Sequence, residues 1–285
     1  MKDENVTRLR QLLDRVAASR RLSGDEQEQI HDAATAEVAR FPREGILSAF
    51  DLAAGRNKSR RRAVLDLLYP FADLPEVADR LKMWLSDPDA RTRSRAIWII
   101  GNRELRGLAP LLNRIMLQDA DVSCRRAAIS AAGRLLSPAN LGTLLDLATG
   151  DDPQLNSPLV YALKSFATQE CGPFLQRMFA ESPDDRLPLP TPDQGLSALR
   201  ELGRLRSRKD TRIAAAWGLA KLGDRQAESY LTAMLHDPAS KGPGYFDPGH
   251  SLRAAQALCD IYSWPFEWHE RFVAVTIARI SERQT

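Results

Sequence analysis

The stretch DPDARTRSRAIWIIG, from Asp87 to Gly101, is followed 32 residues later by DADVSCRRAAISAAG, from Asp119 to Gly133. Both open on an Asp-x-Asp turn, place an arginine six residues after the first aspartate (Arg93, Arg125) and close on glycine after small or apolar residues. A segment that recurs at such an interval reads as one supersecondary unit stacked on copies of itself, because a single unit cannot bury its own apolar face. Inside each unit the apolar residues recur at three and four. Leu108, Leu111, Leu112 and Ile115 make one predicted helix, and Ala127, Ala128, Ala131, Leu135 and Leu136 the next. The unit is a helical pair. The Asp and Ser residues between its members are placed to accept the backbone N–H groups left free where the second helix starts.

Stepping forward from Asp119 reaches Asp151, after which the second helix reads LNSPLVYALKSFA, with Pro158 expected near its first turn, where a missing N–H costs least. Stepping back from Arg93 reaches Arg61 in KSRRRAVLDLLYPF. A further unit stands in DTRIAAAWGLAKLGDRQAESYLTAMLHDP, and another second helix in SLRAAQALCDIY. The shared pattern, D-x-(D)-x-x-x-R-x-A-A-x-x-A-L/I-G, resembles the HEAT repeat in its bacterial short form, the one named after phycobilin lyase subunits, over roughly residues 43–263. The resemblance implies an all-α fold: a right-handed α-solenoid of about six HEAT-like helical pairs, first helices convex and second helices lining the concave face. Residues 1–42, with two amphipathic helices lacking the motif, and 264–285, with one helix carrying Phe272, Val275, Ile277 and Ile280, are the expected caps at the two ends.

The repeat is interrupted twice. Arg212 lies 119 residues after Arg93, where three steps of 32 give 96, so about 23 residues are inserted and the next second helix is expected to begin only near Arg212. The insertion, at about 182–209, starts acidic and proline-rich, continues as an amphipathic helix with Leu196, Leu199, Leu202 and Leu205, and ends basic with Arg200, Arg204, Arg206, Arg208 and Lys209. A second long turn, at about 237–250, carries Tyr245 and Phe246 among glycines and prolines. Both fall between first and second helices, hence on one edge of a stacked array. There they are either tolerated loops or a joint docking site that is basic on one side and aromatic on the other.

Aligning the units turns columns into faces. Val64, Ala96, Ala128, Val160 and Ala215 form one apolar column and Leu65, Ile97, Ile129, Tyr161 and Ala216 the next, both expected to pack. The column after them, Asp66, Trp98, Ser130, Ala162 and Trp217, tolerates anything from acid to indole and is expected to face solvent on the concave side. With the residues four before and four after, it yields an alternative site of Arg62, Asp66, Trp98, Arg126, Arg134, Trp217 and Lys221. Arginine with indole suits both nucleic acid and a protein interface. Asp87, Asp119, Arg93 and Arg125 read instead as a structural ladder between units, joined by Arg61.

With 44% apolar residues the 285-residue chain can bury a core. Its net charge of +3 is far from that of a dedicated nucleic-acid coat. The first residues are polar and amphipathic, no run of 18 apolar residues occurs, and Cys124, Cys171 and Cys259 form no CxxC pair. A cytoplasmic protein without membrane partner, metal or cofactor is the expectation. Of the four histidines only His269 precedes a glutamate, Glu270, which sets the chain apart from HEAT-like di-iron hydroxylases, and no GxSxG, HExxH or glycine-rich phosphate loop is present. HEAT-like DNA glycosylases for alkylated bases resemble the chain more, in size and in a concave surface on which Asp66, Trp98, Arg126, Arg134 and Trp217 could be cast. The sequence thus points to a non-catalytic interaction module, an adaptor, regulatory subunit or inhibitor, whose partner is a protein. Nucleic acid, with or without base excision, is the alternative.

Overall fold

In the computed structural model, residues 2–41, 46–72, 74–150, 152–180, 195–236, 249–269 and 271–284 are described, with the backbone alone for 2, 3, 46, 49, 53, 195–207 and 284. Every regular element among the described residues is helical, as the three-and-four periodicity requires. The chain forms two compact units.

The first unit, Met1–Asn140, contains α1 (Lys2–Ser19), α2 (Gly24–Val38), α3 (Ile46–Ala54), α4 (Lys58–Leu68), α5 (Pro75–Trp84), α6 (Ala90–Asn102), α7 (Ala109–Gln118), α8 (Val122–Leu135) and the start of α9 (Pro138–Thr149). Helices α4, α6 and α8 are the second members of successive pairs, and they pack in a row, α4 on α6 and α6 on α8. The second unit, Leu141–Thr285, holds the rest of α9, then α10 (Pro153–Phe166), α11 (Gly172–Ala180), α12 (Gly195–Lys221), α13 (Arg225–His236), α14 (Gly249–Ile261) and α15 (Arg271–Gln284). Here α10, α12 and α14 make the corresponding row.

Four of the second helices, α4, α6, α8 and α10, start for the same reason. Asn57, Asp89, Asp121 and Asp152 are N-caps whose side-chain oxygens accept N–H groups two or three residues on, each interaction contributing about 1 kcal/mol. The first aspartate of the turn has a different task. Asp119 receives a bidentate pair from Arg93, at 2.8 and 2.6 Å, and Asp87 a pair from Arg61 at 2.9 Å. Asp87 and Asp119 also accept the N–H of Asp89 and Asp121, so one carboxylate fixes the turn and ties it to the preceding second helix. Burial pushes the Asp119 carboxyl up, but the Arg93 guanidinium and the Asp121 N–H outweigh it and hold the group below its ordinary value. The position that Arg125 would reach by the same step, Asp151, lies outside the described residues.

The apolar columns pack as the alignment requires, with Val64, Ala96, Ala128, Val160 and Ala215 all buried. The glycine that closes the motif is not a helix terminator. Gly101 lies inside α6, where a Cβ would stand 2.9 Å from the Cα of Ala131; a second close glycine, Gly218, which stands at the register position of Ala131 rather than at the end of the motif, lies inside α12, where a Cβ would stand 3.1 Å from the Cα of Lys164. Neighbouring second helices touch backbone to backbone at these points. The left-handed caps fall instead on Leu136 after α8 and Ala167 after α10.

Two expectations are corrected. The second helix of the interrupted unit does not begin near Arg212: α12 runs unbroken from Gly195 to Lys221, because no proline interrupts the segment. Pro158 is not in a first turn. Asp152 caps α10, Pro153 takes the first helical position, and Pro158 lies in the helix interior, where it removes one i to i−4 hydrogen bond.

Candidate interaction surface

In the first unit, the outward stripes of α4, α6 and α8 carry the polar side chains that core packing does not use. On α6 the stripe is Arg91, Ser94, Arg95, Trp98 and Asn102, at the three-and-four spacing of one helix face. On α8 it is Ser123, Arg126, Ser130 and Arg134, and on α4 it is Arg62 and Asp66. Trp98 is 36% exposed, a high value for an indole. Its ring is braced, with the Arg95 guanidinium 4.0 Å from the ring centre and the Tyr69 ring 5.1 Å away.

Asp66 braces the brace. Arg95 donates to its Oδ1 at 2.7 Å and Arg20 to its Oδ2 at 2.6 Å, and only 6% of the carboxylate side chain is exposed. The expectation that this column faces solvent throughout is therefore corrected at Asp66, covered by the end of α1, and at Ala162, which is buried. With both oxygens held by arginines, Asp66 is a poor candidate for activating a water. Beside Trp98 a pocket of about 440 Å³ opens between α6 and the start of α8, bordered by Arg91, Ser94, Arg95, Asp121 and Ser123.

Arg91, Arg126 and Arg134 are exposed and have no hydrogen-bond or ion-pair partner among the described residues. Arg134 reaches back across the α6–α8 contact, its Nη1 3.6 Å from where a Gly101 Cβ would stand. Arg62 is committed locally, donating to the Lys58 carbonyl and the Ser59 hydroxyl. Of the residues predicted from sequence, the first unit thus brings together Trp98, Arg126, Arg134 and Arg62, and it adds Arg91, Arg95 and Tyr69. Arg91 and Arg95 were legible as i−7 and i−3 neighbours of Trp98. Tyr69 was not, because it follows α4 in a short 3-10 turn whose direction the repeat does not specify.

In the second unit, Trp217 and Lys221 are differently placed. The Trp217 Nε1 donates to Asp260 Oδ2 at 2.7 Å, Lys221 Nζ meets the same oxygen at 2.7 Å, and Lys164 Nζ sits 3.2 Å from the indole ring centre. The indole's donor and one face are already used. Of the edge set, Arg208 is exposed, but Lys209 is 9% exposed on α12, so it is corrected from a loop contact to a buried helix residue. The side chains of Arg200, Arg204 and Arg206, and Tyr245 and Phe246 entirely, lie outside the described residues.

Among the described residues, no group of three or more His, Cys, Asp or Glu side chains is arranged to hold a metal ion, and no helix is long and apolar enough to cross a membrane. The three cysteines are buried, and burial pushes the Cys124 thiol up to about 11, away from thiolate chemistry.

Stacked helical pairs with a conserved geometry of cap, ladder and close glycine contact define an all-α repeat protein. Residues 77–164, from α5 to α10, match the family of HEAT repeats. No curated protein matches the chain.

Proposed function

We propose that the protein is a non-catalytic interaction module, with repeats of the bacterial short form, and that the α4–α6–α8 face of its first unit docks an acidic segment of a protein partner. The observation that carries this is Trp98: a large, rigid, exposed ring held in place by Arg95 and Tyr69 and flanked by Arg91, Arg126 and Arg134. Because these three arginines have no internal counter-charge among the described residues, pairing them with a partner breaks nothing in the free protein, and aromatic and arginine side chains are the usual energetic centres of protein interfaces.

Nucleic acid fits the same face less well. Asp89 and Asp121 stand as N-caps at the starts of α6 and α8, and the chain's net charge is only +3. The test is co-purification of the tagged protein from its own cell with nuclease treatment, followed by binding of the isolated partner over a range of salt. A protein partner survives nuclease, and its affinity falls gently with salt. A nuclease-sensitive partner whose log affinity falls by about 0.9 per contacted phosphate for each decade of salt replaces this reading with the nucleic-acid one.

A further inference from the structure

Lys164 breaks the repeat at a position where the other units do not. Its register equivalents are Leu68, Ile100, Ala132 and Leu219, all buried and apolar. A side chain that departs from the core pattern of its own repeat marks a functional position more often than a packing error. Its setting is defined. Gly218, lacking a Cβ, lets α12 approach the backbone of Lys164, and the Lys164 Nζ sits over Trp217, 3.2 Å from the ring centre, and 5.4 Å from that of Tyr161.

The charges around it are already matched among themselves. On α14, Asp260 is held by Trp217 and by Lys221. On α12, Asp210 lies 3.1 Å from Arg253 and 3.5 Å from His250, both on α14. Lys164, on α10, has no hydrogen-bond or ion-pair partner among the described residues. It is the cation left over, in a half-buried place.

We propose that Lys164 is the anchor of a carboxylate-binding site on the second-helix face of the second unit, taking one carboxylate from a small free acid or an acidic side chain, with Lys221 at its flank. This goes beyond the docking face of the first unit and does not depend on it. A single uncompensated positive charge suits a monoanion better than a phosphate dianion. Desolvation, reinforced by the nearby Lys221 and Arg253 and opposed by Asp260, holds the Lys164 ammonium down to about 7. Binding of a carboxylate above neutral pH is therefore coupled to uptake of one proton from solvent by the Lys164 amine, and affinity rises as pH falls toward 7.

The experiment is a pH titration of the full-length protein followed by lysine ¹³Cε NMR, with no addition, with sodium acetate, with tetraglutamate and with inorganic phosphate. One lysine resonance titrates near neutrality and is missing in Lys164→Met, a variant expected to fold because leucine and isoleucine occupy this register position elsewhere. Acetate or tetraglutamate raises its midpoint by about one pH unit. A response to acetate alone identifies a small free acid, a response to tetraglutamate alone an acidic side chain, and a response to both any accessible carboxylate. The proposal is overturned if neither moves the midpoint, or if phosphate moves it more than acetate. It is also overturned if Lys164 titrates in the ordinary lysine range in wild type but near neutrality in Asp260→Asn, since the lysine would then be an internal partner of Asp260.

Discussion

At the scale of residues, the ladder arginines and the exposed arginines look alike in sequence and have opposite duties. Arg93 makes two short hydrogen bonds to a nearly buried carboxylate, so Arg93→Ala should lower stability by about 2 to 3 kcal/mol in urea denaturation while leaving partner affinity unchanged at temperatures where the variant is folded. Asp119→Asn should show the same loss with a pH signature. Because the Asp119 carboxyl is held below its ordinary 3.8, its contribution is fully present above that value and fades as pH falls through the lower folded-state value, so variant and wild type should converge in acid. Lys164 has the opposite sign. Its amine is charged in the unfolded chain below 10.5 but loses its proton near 7 when folded, so Lys164→Met should gain stability over wild type as pH drops from 10.5 to 7. The gain should level off below about 7, where the lysine is charged in both the folded and the unfolded chain. The Asp-x-Asp and Arg spacing made the ladder legible in advance. The fate of Asp66 was not, because Arg20, which covers it, follows a helix outside the repeat register.

At the scale of elements, the motif glycines carry a prediction of their own. In an exposed helix, Gly→Ala gains about 1 kcal/mol. At Gly101 the new methyl would meet Ala131 at 2.9 Å, so Gly101→Ala should instead cost about 1 to 3 kcal/mol by thermal or urea unfolding, and adding Ala131→Gly should recover part of it. A neutral or stabilising Gly101→Ala would mean that α6 and α8 separate without cost. Helix identity and caps were readable because Asn57, Asp89, Asp121 and Asp152 recur near a fixed step. The extent of α12 was not, since counting register shows how many residues are added but not whether they loop out or lengthen a helix. Here the leucine-spaced segment lengthened it.

At the scale of the whole molecule, the class of fold followed from one periodicity, whereas the candidate surface followed only in part. The column containing Trp98 and Trp217 pointed to both indoles, but sequence could not tell that one is exposed and braced while the other already donates to Asp260. The difference depends on which carboxylate a neighbouring helix delivers. The same unequal commitment separates the exposed arginines of the first unit from the paired Lys221 of the second. The central claim is that the free arginines around Trp98 form the partner-binding face. It is tested most directly by calorimetric titration of the co-purified partner against wild type and the triple variant Arg91→Glu, Arg126→Glu, Arg134→Glu, with circular dichroism and urea unfolding alongside. Since none of the three has an internal partner among the described residues, the variant should fold as wild type and bind at least about 100-fold more weakly, a loss of roughly 2.7 kcal/mol. A folded triple variant that binds its partner with unchanged affinity would contradict the account and move the site away from the α4–α6–α8 face.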